Sequence, residues 1–281
     1  MNTILVPTDF SENARNASAY ALRLAADVNT KKVVFFNAYQ APPVLTEPTM
    51  PAMPVMDIET MREISNSGME QFKRSLEAEC PSGVEIEHIT EFSILSNDIT
   101  EICNRVGAEL IVMGITGTSK IEEVLIGSTA TSVIKHTKVP VIVVPAEASY
   151  SGIRNVMLAC DFKKVAETTP VQPIESILDA TRASLHVLNV YESDKEITSE
   201  KTVQKELLHS LLRAYNPQFH FKSSENFIQA INEFSDDNAI DLVITIPRKH
   251  GFFESLFREG HSKKLAFHSH VPLMFVHQED L

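Results

Sequence analysis

Residues 113–129 read MGITGTSKIEEVLIGST, and the fold turns on them. An apolar run, Ala108 to Met113, precedes this stretch, and a segment with helical character follows it. Gly114 and Gly117 stand three apart, nine residues intervene before Gly127, and Ser128 and Thr129 follow at once. A strand that ends in glycine and re-enters a helix through Gly-Ser-Thr brings backbone N–H groups close to an anionic oxygen. The helix N-terminus adds positive potential there. The pattern therefore points to phosphate binding; the alternative is a glycine-rich turn that only lets strand and helix pack. Ile126-Gly127-Ser128 lacks the lysine of a Walker loop, and no GxGxxG is present.

Working outward, residues 3–7 (TILVP) read as a buried strand. Ser11 is a candidate helix N-cap with Glu12 in the first turn, and Ala17, Tyr20, Ala21, Leu24, Ala25 and Val28 recur at helical intervals. Residues 32–39 form a second strand. Five prolines in 40–56 (Pro42, Pro43, Pro48, Pro51, Pro54) exclude regular helix and leave a long loop, either a lid or a surface excursion. A helix over 57–79, a strand over 84–91, a helix over 96–106, a strand over 109–113, a helix over 128–137 and a strand over 141–144 complete the set. Such alternation predicts an α/β fold with a doubly wound parallel sheet, whose ligands sit beyond the carboxyl ends of the strands.

The pattern then repeats. Ile4 to Phe10 (ILVPTDF) is echoed by Val156 to Phe162 (VMLACDF), Asn37-Ala38-Tyr39 by Asn189-Val190-Tyr191, Leu110-Ile111-Val112 by Leu242-Val243-Ile244, and Val139 to Val144 by Val271 to Val276. Two copies of one fold follow, with domains at 1–147 and 152–281, each carrying five parallel strands flanked by helices.

The motifs ILVPTDFSENA (4–14), FFNAYQ (35–40) and KVPVIVVP (138–145), with the G-x2-G-x9-G-S spacing, resemble the universal stress protein family in its ATP-binding branch. The resemblance to a tandem member covers nearly the whole chain. It implies a Rossmann-like fold of the adenine nucleotide alpha hydrolase-like type. It also places Pro7, Thr8 and Asp9 in a nucleoside pocket, sets the Ala38 backbone against adenine, and assigns ribose and phosphates to Met113, Gly114, Gly117, Gly127, Ser128 and Thr129. ATP is the implied ligand, with Mg²⁺ held mainly by the phosphates rather than by protein side chains. Asp9 has a second reading, as a helix-entry residue favoured by the dipole, and its repetition as Asp161 fits both.

In the second copy, IPRKHGFFESLFREGHS places Ile246 and Lys249 at the first two glycine positions. Gly260 falls one residue out of register, with His261 after it. Phe252, Phe253 and Phe257 read as packing residues, and Arg248, Lys249 and His250 as a solvated basic loop. One ATP site per chain is expected, in the first copy. His250, His261, His268, His270 and His277 lack matched ligand spacing and read as scattered surface histidines rather than a metal site.

The chain has 281 residues, 43% hydrophobic and 22% charged, with a formal net charge of −12 and no tryptophan. Those values fit a globular protein and argue against nucleic-acid partners. Cys80, Cys103 and Cys160 have no CxxC or zinc spacing, so a reducing compartment is expected. MNTILVPTDF has no basic leader, and no run nears the length of a membrane span, so the expected location is cytoplasmic.

The function that follows is a nucleotide-responsive stress regulator without dedicated catalytic residues. A slow ATPase using Lys120, Glu122 or Glu123, and an interaction module for a protein or apolar ligand, are the alternatives. The apolar last strands of the two copies need partners. The family resemblance implies that they pair with each other as an intramolecular pseudo-dimer, leaving a homodimer open.

Overall fold

The computed structural model describes residues 1–40, 57–115, 126–191, 199–247 and 271–278. The proline-rich segment beyond Gln40, Gly117 with Lys120, Glu122 and Glu123, and the second-copy residues from Arg248 to His270 lie outside the described residues.

The first half follows the alternation read from sequence. Strand β1 (Thr3–Pro7) is buried throughout and leads to α1 (Glu12–Asp27). The Ser11 hydroxyl accepts the Ala14 N–H at 3.2 Å, the capping bond a helix start requires. Small residues Ala17, Ala21 and Ala25 let α1 lie close on the sheet, and Tyr20 and Leu24 fill the space between. Then come β2 (Lys32–Tyr39), α2 (Ile58–Ser75, capped by Asp57), β3 (Glu85–Phe92), α3 (Leu95–Val106), β4 (Leu110–Gly114), α4 (Ser128–His136) and β5 (Val141–Val144). The helix expected over 57–79 stops at Ser75 and tightens into a 3₁₀ turn at Glu77–Glu79, with Leu76 fully buried at the junction.

The second half runs β6 (Asn155–Ala159), α5 (Val165–Thr168), α6 (Val171–Thr181), β7 (Ser184–Tyr191), α7 (Ser199–Leu211), β8 (Gln218–Ser223), α8 (Phe227–Asp237), β9 (Leu242–Thr245) and β10 (Leu273–Phe275). Its opening helix is broken in two, with Pro170 at the break.

Among the described residues the strands form one sheet, ordered β3-β2-β1-β4-β5-β10-β9-β6-β7-β8. Each half is parallel and five-stranded, as the sequence predicts, and the halves are continuous through an antiparallel pairing of β5 with β10. Val143 faces Leu273, Ile142 faces Met274 and Val141 faces Phe275 in that register. Ile142, Val144 and Met274 join the core beneath α1, α2, α6 and α7; Val141, Val143, Leu273 and Phe275 join the one beneath α3, α4 and α8. The seam is thus apolar on both faces. Among the described residues no helix is long and apolar enough to cross a membrane. The three cysteines are free thiols, with burial pushing Cys103 up to about 11.

On the second half, His186 and His220 stack with centroids 5.3 Å apart, a nitrogen of each ring 3.2 Å from the other, and Phe234 packed on both. Burial holds both imidazoles below the usual histidine range, and for His186 a charge on His220 adds to the depression. Between the depressed folded values and about 6.5 in the unfolded chain, the unfolded state binds more protons, so stability falls as pH falls through that window. The melting temperature is therefore expected to drop from pH 7.5 to 5.5, with a smaller drop in His220→Gln. A full drop in that variant removes the pair as the cause.

The seam makes a second prediction. Met274→Ala should cost about 2–5 kcal/mol. In urea, followed by far-UV circular dichroism, it should shift one common transition rather than only that of the second half.

Candidate functional site

A crevice of about 240 Å³ lies beyond the carboxyl ends of β1, β2 and β4. Sheet order reverses there, because β1 pairs with β2 on one side and β4 on the other. Pro7, Thr8 and Asp9 supply one wall, Phe36, Ala38 and Gln40 a second, and Met113, Gly114 and Ile115 the floor near α4. Asn13 and Ala14 of α1 and Thr129 and Ala130 of α4 close the remainder, with Leu95 at the rim.

The turn after β1 is held by a set of short bonds. The Thr8 hydroxyl accepts the Phe10 N–H at 3.0 Å, and Asp9 Oδ1 accepts the Ser11 N–H at 3.0 Å. The Thr8 N–H donates to the Phe36 carbonyl at 2.8 Å. Asn37 Nδ2 donates to the Thr8 carbonyl at 2.7 Å and its Oδ1 accepts from the Ser65 hydroxyl at 2.6 Å, so a buried amide ties β1, β2 and α2 together. These bonds hold Phe10 at φ 65°, a left-handed conformation that costs a bulky residue about 1–2 kcal/mol. Its ring is seated 5.7 Å from Phe72, against Gly68, where an added Cβ would come within 2.9 Å of the ring.

Asp9 is exposed, and one carboxylate oxygen serves the turn. Asp161 does the same for the Lys163 N–H at 3.1 Å, with Phe162 at φ 52°. The repeated Asp-Phe pair thus has a local reason in both halves. Among the described residues Asp9 Oδ2 has no hydrogen-bond partner.

Gly114 also has a packing reason. A Cβ built on it would lie 2.6 Å from the Asn13 carbonyl oxygen and 2.8 Å from the Asn13 carbonyl carbon, both backbone atoms. The missing side chain lets the first turn of α1 rest on the end of β4. In the second half Ile246 stands here, partly buried and packed against the core. A branched side chain excludes that close approach, and the helix there begins as the four-residue α5 behind Lys164 at φ 47°.

Gly127 caps α4 with φ −61° and ψ 157°, and its carbonyl accepts the Thr131 N–H at 2.9 Å. Among the described residues no side chain caps this helix, which leaves the N–H groups of its first turn as open donors beside the crevice. A helix start of this kind suits an anion.

Of the residues singled out from sequence, Pro7, Thr8, Asp9, Ala38, Met113, Gly114 and Thr129 meet in one crevice. Gly127 and Ser128 adjoin it through the start of α4 without lining it. Sequence reading missed Asn13, Ile115 and Leu95, which carry no chemical signature. It also missed Asn37, whose repetition as Asn189 inside an apolar strand was a usable signal: Asn189 Nδ2 donates to the Cys160 carbonyl at 2.7 Å. Among the described residues no group of three or more His, Cys, Asp or Glu converges as a metal site. For His277 the surface reading is corrected: it is half-buried, its Nε2 has no partner among the described residues, and burial lowers its basicity. The reason is the β10 seam, which draws it against α4.

The universal stress protein family model matches residues 1–145. Two universal stress proteins of Methanocaldococcus jannaschii are similar to the chain. One is 29% identical over 143 residues, covering 50% of this chain and 80% of that protein. The other is 28% identical over 159 residues, covering 52% and 96%. A universal stress protein from Archaeoglobus fulgidus superposes with a TM-score of 0.71 over 99% of both chains at 21% identity, a likeness of fold along the full length.

Gly114→Ala should lower stability by about 1–3 kcal/mol, because backbone rather than a movable side chain occupies the space. The urea midpoint checks it; an unchanged midpoint would show that α1 can give way.

Proposed function

The chain belongs to the universal stress protein family, and from that premise we propose that its first half binds ATP in the crevice beneath α1 and α4. The supporting observation is the meeting, inside the segment that matches the family, of an uncapped helix start with the Pro7–Asp9 turn and the end of β2. A nucleoside would lie between Asp9 and the Ala38 backbone. Asp9 Oδ2 would accept a ribose hydroxyl while Oδ1 keeps the turn. The N–H groups at the start of α4, with Ser128 and Thr129, would take phosphate oxygens. No lysine or arginine lines the described crevice, so the anion would be held by backbone donors and the helix dipole. A divalent cation would travel with the triphosphate on its phosphate oxygens.

The second half supports a stoichiometry of one. Ile246 replaces Gly114, Cys160 replaces Thr8 and Val190 replaces Ala38, so shape and hydrogen-bonding groups both differ. We read residues 1–147 and 152–281 as the two domains of an intramolecular pseudo-dimer joined at β5 and β10. Nucleotide occupancy in one unit would bias the surface the pair presents, as differential affinity for two states requires. A cytoplasmic, nucleotide-responsive regulator fits that arrangement better than an enzyme, because the described crevice offers Asp9 as its one charged group.

Calorimetry with ATP and Mg²⁺ should give binding near one equivalent per chain. Gly127→Val should keep the fold, since φ −61° and ψ 157° suit valine, and should abolish the ATP-induced rise in melting temperature by blocking approach to α4. An undiminished rise in that variant, or two equivalents bound, would overturn the assignment.

A further inference from the structure

A second cavity, of about 340 Å³, opens where the two halves of the chain meet, away from the crevice beneath α4. Tyr20 of α1 forms its inner end, Ser149 to Gly152 of the connecting segment one side, and Asp236 near the end of α8 with Asp241 just before β9 the other. Among the described residues no lysine, arginine or histidine lines it.

Tyr20 gives that inner end a polar group. The residue is 3% exposed, yet among the described residues its hydroxyl has no hydrogen-bond partner. The hydroxyl is not sealed in the core; it opens onto the cavity, where a group from outside the protein can reach it. The neighbouring Tyr150, which packs edge-on at 5.0 Å, has its hydroxyl committed to Asp27 Oδ2 at 2.6 Å. The two tyrosines form one aromatic wall with one engaged hydroxyl and one waiting.

The charge facing Tyr20 is negative. Asp241 Oδ2 accepts the backbone N–H groups of Arg154 at 2.8 Å and Asn155 at 2.9 Å, which fixes the carboxylate in place. Oδ1 has no partner among the described residues. Burial, and then the Asp241 charge, push the Tyr20 phenol well above its ordinary range, so it stays a neutral hydroxyl able to accept and donate. A fixed carboxylate, an unengaged phenol and nearby serine hydroxyls, with no basic side chain among the described lining residues, suit a cation that carries several N–H donors. Among the described residues the acids do not converge as metal ligands do, which favours an organic ammonium over a metal ion.

We infer that this cavity is a second small-molecule site, taking a compact ligand whose primary ammonium group is held between Asp241 and the Tyr20 hydroxyl. The ligand would touch α1, the connecting segment and the end of α8 at once, so its binding would brace the junction between the halves.

Putrescine is a suitable probe, with the uncharged butanediol and the dianion succinate, each of the same carbon length, as controls. Putrescine should raise the melting temperature, and the controls should not. In amide NMR spectra of the unmodified protein it should shift Ser149, Tyr150, Ser151 and Gly152. Tyr20→Phe keeps the ring contact with Tyr150 and removes the hydroxyl; Asp241→Asn keeps an oxygen for the backbone donors and removes the charge. Each should weaken putrescine binding by about tenfold or more, the scale of one hydrogen bond to a charged group. No binding, equal binding of butanediol, affinity unchanged in either variant that folds, or shifts spread over the acidic surface would overturn the proposal. If neither variant folds, the amide shifts of the unmodified protein decide it.

Discussion

The first turn of α1 rests on the end of β4 with no room for a side chain between them, and the site depends on that contact. With no Cβ at residue 114, the Asn13 carbonyl settles directly onto the strand end, and α1 runs unbroken from Glu12 to Asp27. The same helix start brings Asn13 and Ala14 to the crevice and fixes the direction in which the Pro7–Ser11 turn must travel. The second half shows the consequence of filling that space. Ile246 gains buried apolar area, and the helix opposite is reduced to a single turn before Pro170. A bare backbone at residue 114 and a four-carbon side chain at residue 246 thus distinguish the two halves at the same place in the topology.

Around this contact the turn after β1 is held against its own preference. An aromatic residue in the left-handed region persists only where its neighbours over-determine it. Here they do: Thr8 and Asp9 side chains accept from the next backbone groups, Asn37 clamps the Thr8 carbonyl, and Phe72 and Gly68 seat the ring. The second half keeps the conformation with other parts, using Cys160 Sγ for the Phe162 N–H and Phe219 with Phe221 for the ring. Keeping the turn in both halves, while the floor opposite changes from Gly114 to Ile246, separates what the fold needs from what the crevice needs.

The seam between β5 and β10 removes two apolar sheet edges at once. It leaves β3 and β8 as the outer strands, and these carry charged residues such as Glu85, Glu87, Glu91 and Lys222 along their length. Those are features that discourage further edge pairing. The seam also accounts for the halves sharing both cores, and for the junction at which Tyr20 meets the end of α8.

Much of this was legible in the chain. Period and punctuation placed the first-half strands within a residue or so, because buried parallel strands are short apolar runs and Ser11, Asp57 and Gly107 mark helix ends by local chemistry. The internal echo determined that there are two copies, and the glycine spacing pointed to the start of α4. Tertiary structure alone decided why Gly114 is glycine, since the atom it avoids belongs to a residue a hundred positions away in sequence. It also assigned Asn37 to the turn, drew His277 into the seam, and left the Tyr20 hydroxyl facing a cavity. Each of these depends on which distant groups come within a few ångströms of one another. Local propensity carries no record of that; close packing of the finished chain creates it.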